Sequence, residues 1–344
     1  MIVSVIIPIY NGAKYIMSMY RSLKDQTFQD FEVIFINDGS KDDSLRKLKN
    51  VAKDDPRVRI FSQENKGICA SRNLGLEQAK GKYIIFLDQD DGIENELIEK
   101  YVEAINEKNA DIASFGKTHY LIDDDKVISI KPQLIDEELV TDRKRLLECL
   151  FNIDNKKRLM TIWNCIYRKD IIEEHNVKFD EHFKHGDEDG MFNIEYVLHC
   201  QRACFSSKSY YHYYIRKGIS TITKYNEELL ENYLYYASKV NTLTLDLAQE
   251  DLSMVKLYLL RFFSNVYGRF CRFHKDCSDK ITFLKKTNDS EGFQFATSLN
   301  VFQSRKRLPT IYIYWDFFNL FYLKKKYFLA VTMLDCLIGM KKIR

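Results

Sequence analysis

Proline is scarce in this chain, with four residues in 344, so long proline-rich linkers are excluded. No stretch offers the ~20 uncharged apolar residues of a bilayer-crossing helix, and no transmembrane span is expected. The opening segment Met1-Ile2-Val3-Ser4-Val5-Ile6-Ile7-Pro8 has no basic start and no small-residue cleavage site, so no signal peptide is expected. Eight cysteines stand at 69, 149, 165, 200, 204, 271, 277 and 336, without a Cys-x-x-Cys pair of zinc spacing. Reduced, mostly buried thiols of a cytosolic protein are the expectation. No Gly-x-Gly-x-x-Gly follows the first apolar run, and no Gly-Lys-Ser/Thr occurs anywhere. Dinucleotide-binding and P-loop chemistry both lose support.

What remains has the composition of an ordinary folded protein, 45% hydrophobic and 29% charged. Aromatics are abundant, with 22 Tyr and 23 Phe. Charge is uneven. The net value is +3, yet residues 305–344 alone carry nine Lys/Arg against two Asp/Glu. The rest of the chain is therefore slightly acidic, and the basic tail has a task of its own. An acidic body without a recognition motif argues against a nucleic-acid partner.

The first ~115 residues alternate strand and helix patterns. Strands are predicted at 3–10, 31–36, 58–61, 83–87 and 111–115, and helices at 13–25, 44–53, 68–79 and 94–108. Such alternation predicts a parallel α/β sheet covered on both faces, with ligands at the carboxyl ends of its strands. Asn11, Asp38 and Asp88 all fall at those ends. Residues 118–160 read as less regular, with Asp123-Asp124-Asp125 at a hairpin or loop tip. Short strands and helices follow over 161–224, and the pattern is mainly helical from about 226.

The densest chemical signal is Tyr83-Ile84-Ile85-Phe86-Leu87-Asp88-Gln89-Asp90-Asp91. An apolar run ends in three carboxylates within four positions. Carboxylates this close repel one another unless something positive neutralises them. A hard divalent cation with oxygen ligands, Mg2+ or Mn2+, suits the task and would in turn hold a phosphate-bearing ligand. A solvated acidic loop is the plainer alternative for these residues alone.

Several motifs recur in fixed order along the chain: Val3-Ser4-Val5-Ile6-Ile7-Pro8-Ile9-Tyr10-Asn11, Ile36-Asn37-Asp38-Gly39-Ser40, Glu64-Asn65-Lys66-Gly67, Ser71-Arg72-Asn73-x-Gly75, the cluster at 88–91, and Gly186-Asp187-Glu188-Asp189-x-x-Phe192. In this order the chain resembles the inverting family-2 glycosyltransferases of the GT-A nucleotide-sugar fold, over roughly residues 1–222. The resemblance implies a Rossmann-like mixed α/β sheet as a catalytic domain over 1–225, with a mainly helical region over 226–344. It implies a UDP-sugar donor, a glycan or lipid-linked oligosaccharide acceptor, and a Mn2+ or Mg2+ cofactor. The setting would be bacterial capsule, lipopolysaccharide or other surface-glycan synthesis.

The resemblance also assigns residues. Pro8, Tyr10 and Asn11 would present backbone groups to the nucleoside, and Asp38 would accept a hydrogen bond from the uracil N–H. Arg72 would lie along the base, beside a helix start at Gly67 that suits an anion. Asp88 would contact the ribose or a metal-bound water, with Gln89 beside it. Asp90 would ligate the metal, supported by Asp91 and by His212 as a third ligand. Asp189 would be the general base and Glu188 would orient the acceptor or the base. Arg216 and Ser220, in Tyr214-Ile215-Arg216-Lys217-Gly218-Ile219-Ser220-Thr221, would fold over the diphosphate. Simpler roles exist for several of these. Asp38 can cap a turn, Arg72 can form a surface ion pair, His212 can be a packed core residue, and the carboxylates at 187–189 can cap a helix. Trp163 would stack on an acceptor sugar or be buried. An inactive nucleotide-sugar-binding scaffold is the alternative from another class. A nucleotidyltransferase is a third, though no Gly-rich triphosphate loop is present.

Nine aromatics crowd residues 312–328, between Arg305-Lys306-Arg307 and the closing basic residues, and are interrupted by Lys324-Lys325-Lys326. Aromatics flanked by cations suit the anionic inner leaflet of a membrane, giving a cytoplasmic, peripherally attached protein. A helical aromatic core or a homo-oligomer interface would use the same residues.

Overall fold

Four apolar runs become neighbouring parallel strands: β1 (Val3–Ile9), β2 (Phe31–Asp38), β3 (Val58–Gln63) and β4 (Tyr83–Phe86). Their spatial order is β3-β2-β1-β4. Every residue of β2 and β4 is buried, as a sheet covered on both faces requires. The crossovers carry α1 (Ile16–Lys24), α2 (Ser44–Asp54) and α3 (Ile68–Gln78), and α4 (Leu97–Glu107) follows the two-residue strand β5 (Gly92–Ile93). This is a computed structural model, and it describes residues 1–124, 126–153, 156, 159–183, 186–216, 228–274, 276–287, 290–298 and 330–332.

Beyond β4 the sheet turns mixed. After β6 (Ile112–Asp123), β7 (Lys126–Gln133), β8 (Glu138–Val140) and α5 (Arg143–Leu150), the chain forms β9 (Cys165–Arg168), α6 (Lys169–Glu174), α7 (Glu188–Leu198) and β10 (Ala203–Arg216). β9 lies antiparallel between β4 and β6, and β10 runs parallel to β6. The path is β3-β2-β1-β4-β9-β6-β10-β5, with β7 on β6 and β8 on β10. The sheet is therefore mixed, as the resemblance implied, and its parallel part is the β3-β2-β1-β4 half that the strand–helix alternation marked. The acidic stretch at 123–125 does mark a hairpin, with Asp123 opposite Lys126, although Asp125 lies outside the described residues.

Register sets the site. Ile9 pairs with Asn37, and Asp38 with Gln63, so β1, β2 and β3 end together. β4 ends beside β1 through Ile6↔Phe86. Asn11, Asp38 and Asp88 thus leave the sheet along one edge. Close backbone approach holds this half together. A Cβ on Gly81 would lie 2.5 Å from the Ser4 nitrogen and 2.6 Å from the Val3 carbonyl carbon, both backbone atoms that cannot swing aside. Gly81→Ala should cost about 1–3 kcal/mol as an overpacking change, read from the urea midpoint. An unchanged midpoint would show that β1 and the β4 entry separate freely.

The chain divides into two compact units, Met1–Lys224 and Tyr225–Arg344. Among the described residues the second carries α8 (Leu229–Leu243), α9 (Gln249–Phe273), α10 (Cys277–Lys286) and α11 (Glu291–Thr297). Tyr233, Phe263 and Phe293 pack at its centre, and the Tyr236 and Tyr258 hydroxyls share a 2.7 Å hydrogen bond. Among the described residues no helix is long and apolar enough to cross a membrane. The aromatic and basic segment at 305–329 lies outside the described residues.

Candidate active site

Gly67 is the N-cap of α3, and its φ of +92° favours glycine. The first amides of this turn are held by Asp38 at the end of β2. Its Oδ1 accepts from the Lys66 N–H at 2.9 Å and its Oδ2 from the Gly67 N–H at 2.9 Å. Gln63 Nε2 donates to Oδ1 at 2.8 Å. Asp38 is 4% exposed and therefore fixes where α3 starts. Its capping role is met in full, and Oδ2 keeps a lone pair for one further donor.

Arg72 follows one turn into α3 and is 2% exposed. Its Nη1 donates to Asp189 Oδ1 at 2.9 Å and to Glu188 Oε1 at 3.1 Å, and its Nη2 donates to Asp88 Oδ1 at 3.1 Å. The guanidinium lies 5.2 Å from the Phe179 ring centroid. Both terminal nitrogens are thus turned to carboxylates. Its surface ion-pair alternative fails on burial. One buried cation ties the end of β4 to the start of α7.

Aromatic packing holds α7 against it. Phe192 stacks on Phe179 at 4.2 Å and meets Phe86 and Tyr167 edge-on at 5.5 and 5.6 Å. Tyr167 donates to Asn193 Oδ1 at 2.7 Å. Asp187 takes the N-cap position with φ +71°, and Glu188 and Asp189 open the helix. Burial pushes the Asp189 carboxyl up to about 7, and the charges of Glu188 and Asp88 add to the rise while Arg72 opposes it. A carboxyl titrating there can exchange a proton near neutrality. Glu188 Oε2 is buried with no hydrogen-bond partner among the described residues. Arg72 grips Glu188 and Asp189, which singles out that pair from the three successive acids.

Each carboxylate of the acidic cluster has its own partner. Asp88 has Arg72. Asp91, buried, accepts from the Tyr211 hydroxyl at 2.7 Å and the Tyr214 N–H at 2.9 Å. Burial and its acidic neighbours raise the Asp91 carboxyl well above the usual range. Asp91 therefore pins β10 to the cluster. Asp90 meets Arg216, whose Nη1 donates to Asp90 Oδ2 at 2.6 Å and Nη2 to the Asp90 carbonyl at 2.7 Å. Even so, burial and the Asp88 charge keep the Asp90 carboxyl raised.

Oxygen ligands with excess negative charge fit a hard cation. Mg2+ in particular takes one or two carboxylates and completes its shell with phosphate oxygens and water. Asp88 and Asp90 fit that role. The third expected ligand does not join them. His212 Nε2 is 2.8 Å from Glu94 Oε1, and its ring lies 5.1 Å from that of Tyr120. Among the described residues no group of three or more His, Cys, Asp or Glu side chains is arranged around one metal position.

The β1 loop forms the opposite wall. Gln89 brackets Tyr10, accepting from its N–H at 3.1 Å and donating to its carbonyl at 3.2 Å. Asn11, at φ +48°, accepts from the Lys41 N–H at 2.9 Å. Gln89 and Asn11 brace the loop, while the Tyr10 side chain is 44% exposed and Pro8 sits half-buried in β1. Trp163 is buried, stacked on Tyr211 at 4.4 Å and Tyr213 at 5.1 Å, which removes it as a sugar platform. Ser220 lies outside the described residues. Tyr211, the buried donor to Asp91, is not singled out in the sequence, where Tyr210-Tyr211-His212-Tyr213-Tyr214 does not alternate in polarity. Tyr15, beneath the Arg216 guanidinium at 4.8 Å, gave no signal of its own.

A family model described as glycosyl transferase family 2 matches residues 4–175. The uncharacterized glycosyltransferase EpsJ of Bacillus subtilis is 31% identical over 223 residues, 65% of this chain and 63% of EpsJ. The glycosyltransferase GlyA of Streptococcus pneumoniae is 33% identical over 220 residues, 63% of this chain and 31% of GlyA. The match therefore spans less than two thirds of the length of either relative. In structure, S. aureus TarS 1–349 in complex with UDP-GlcNAc superposes with a TM-score of 0.75 at 21% identity, over 97% of this chain and 91% of that one. The mannosyltransferase PcManGT of Pyrobaculum calidifontis, in complex with GDP-Man and Mn2+, gives 0.53 at 14% identity, over 99% of this chain and 86% of its own.

Proposed function

Because this chain belongs to glycosyl transferase family 2 and carries its GT-A fold, we propose that it is a metal-assisted, inverting transferase. It moves a sugar from a UDP-sugar to a hydroxyl of a glycan or lipid-linked oligosaccharide in surface-polysaccharide synthesis. The observation that carries the reading is the Arg72 bridge, which sets the Asp189 carboxyl beside the acidic strand end at Asp88. A proton acceptor for the incoming hydroxyl and a holder for the leaving diphosphate need that proximity.

The chain's own residues divide the work. Asp189, ionised above about pH 7, takes the acceptor proton as the oxygen attacks the anomeric carbon. The bond from that carbon to the diphosphate oxygen breaks, and UDP departs. Glu188 and Arg72 hold the base in place, and the free lone pair of Asp38 Oδ2 suits a uracil N–H. Asp88 and Asp90 would hold Mn2+ or Mg2+, which supplies positive charge to the leaving diphosphate. Tyr10 offers an exposed ring to the nucleoside. The basic and aromatic segment at 305–344 would keep the enzyme on the inner leaflet, near lipid-linked acceptors.

UDP-GlcNAc, bound in the TarS structure, is the first donor to try. A panel of UDP-sugars assayed for UDP release should give turnover with one donor, dependent on Mn2+ or Mg2+ and lost on chelation. UDP binding without release from any donor would leave a nucleotide-sugar-binding protein in place of a transferase.

A further inference from the structure

Three carboxylates crowd the end of β4, and their partners differ in kind. Asp88 shares the buried Arg72 with Glu188 and Asp189, so that cation cannot leave without stranding three acids. Asp91 is fixed by two neutral donors of β10, the Tyr211 hydroxyl and the Tyr214 N–H. Asp90 alone among them is met by a cation at the edge of the site. Arg216 is the last residue of β10, with its side chain 14% exposed, and it grips Asp90 at two points, the carboxylate Oδ2 and the backbone carbonyl.

That grip occupies Oδ2, one of the two carboxylate oxygens through which Asp90 would ligate a divalent cation. A doubly charged ion on the Asp90 carboxylate would also repel a guanidinium on the same group. Two aromatic rings flank the guanidinium where it meets Asp90. Tyr15 lies 4.8 Å and Tyr214 5.5 Å from its central carbon. Tyr15 belongs to the loop after β1, its N–H donating to the Gly12 carbonyl at 2.8 Å, and that loop is the wall assigned to the nucleotide. A planar, permanently charged group that slides over aromatic rings is well suited to change anionic partners.

We propose that Arg216 is a built-in counter-cation of Asp90 that competes with the divalent ion for this carboxylate and is handed on to the diphosphate when the ion enters. The inference rests on the metal and UDP reading above and deepens it. Metal entry and diphosphate capture become two halves of one exchange. Tyr15 and Tyr214 are positioning residues for it. The ion then gains affinity when nucleotide accompanies it, because the displaced guanidinium finds a new anion.

The exchange predicts effects of opposite sign from one substitution. Mn2+ binding to the full chain is read from the free-ion electron paramagnetic resonance signal, without nucleotide. UDP binding is read by calorimetry at saturating Mn2+. Arg216→Met should bind Mn2+ alone about tenfold more tightly and UDP about tenfold more weakly, the scale of one charge-assisted hydrogen bond. Arg216→Lys, which keeps the charge, should hold Mn2+ affinity near the parent value. Equal Mn2+ binding by parent and Arg216→Met would overturn the exchange while leaving the metal site standing. Weaker binding of both ligands by Arg216→Met would also overturn it, since a purely structural role does that. No Mn2+ binding by any of the three proteins would remove the metal reading itself, and the exchange with it.

Discussion

Asp189→Asn lowers sugar transfer by about 100-fold to 10,000-fold, the share a positioned general base contributes, while UDP affinity in the presence of Mn2+ stays near the parent value. Asparagine keeps the shape, and its carbonyl oxygen can still accept from Arg72 Nη1, which lies 2.9 Å from Asp189 Oδ1. It cannot take a proton from an attacking hydroxyl. The parent enzyme carries a second signature of the same residue. Burial, with help from Glu188 and Asp88, pushes the Asp189 carboxyl up to about 7, and only its ionised form can act as base. Transfer should therefore rise with pH through about 7 and level off above it. Asp189→Asn removes that rising limb from whatever activity remains. Transfer by Asp189→Asn at the parent rate would assign the base to another group.

Arg72→Met produces the largest loss of stability. Removing one partner of a buried ion pair typically costs about 3–5 kcal/mol, and Arg72 serves three partners at once. For a unit the size of Met1–Lys224 this corresponds to roughly 6–20 °C in Tm. The deficit depends on pH with a definite sign. Burial already holds the Asp189 carboxyl above its unfolded-state pKa, and loss of the guanidinium that opposes this raises it further. The folded variant then binds more protons than the unfolded chain, so its stability falls as pH rises. Its Tm should trail the parent by more at pH 8 than at pH 5, and the rising limb of residual transfer should move to higher pH. A Tm within two degrees of the parent at both values, on the scale set by protein size, would mean that the three acids need no common cation.

The strand ends were legible in the sequence because physics writes them locally. Short apolar runs closed by Asn, Asp and Gly mark where buried parallel strands leave a sheet, and Asn11, Asp38 and Asp88 fall there as expected. The acidic start of α7 was legible too, since Glu188 and Asp189 precede an apolar helix. Partnerships were not. Arg72 and Asp189 stand 117 residues apart, and nothing in the spacing tells that they meet. His212 was a metal ligand by resemblance only, and its partner Glu94 comes directly after a strand of two residues too short to notice. The 14-residue strand β10 was hidden by its mixed content of serine, lysine and tyrosine, half-buried along most of its length. Likewise β9 opposes its neighbours, and four residues give no sign of direction.

The central claim is a single displacement at the anomeric carbon, with Asp189 taking the proton on the acceptor side. Its most direct test needs no acceptor. With no acceptor present, water can receive the sugar in its place, and the first product of that reaction keeps its configuration until mutarotation scrambles it. Proton NMR of the parent enzyme with an α-linked UDP-sugar, followed from the earliest minutes, should show the β-anomer appearing first. If the α-anomer appears first, the displacement is not single, and Asp189 does not play the part assigned to it.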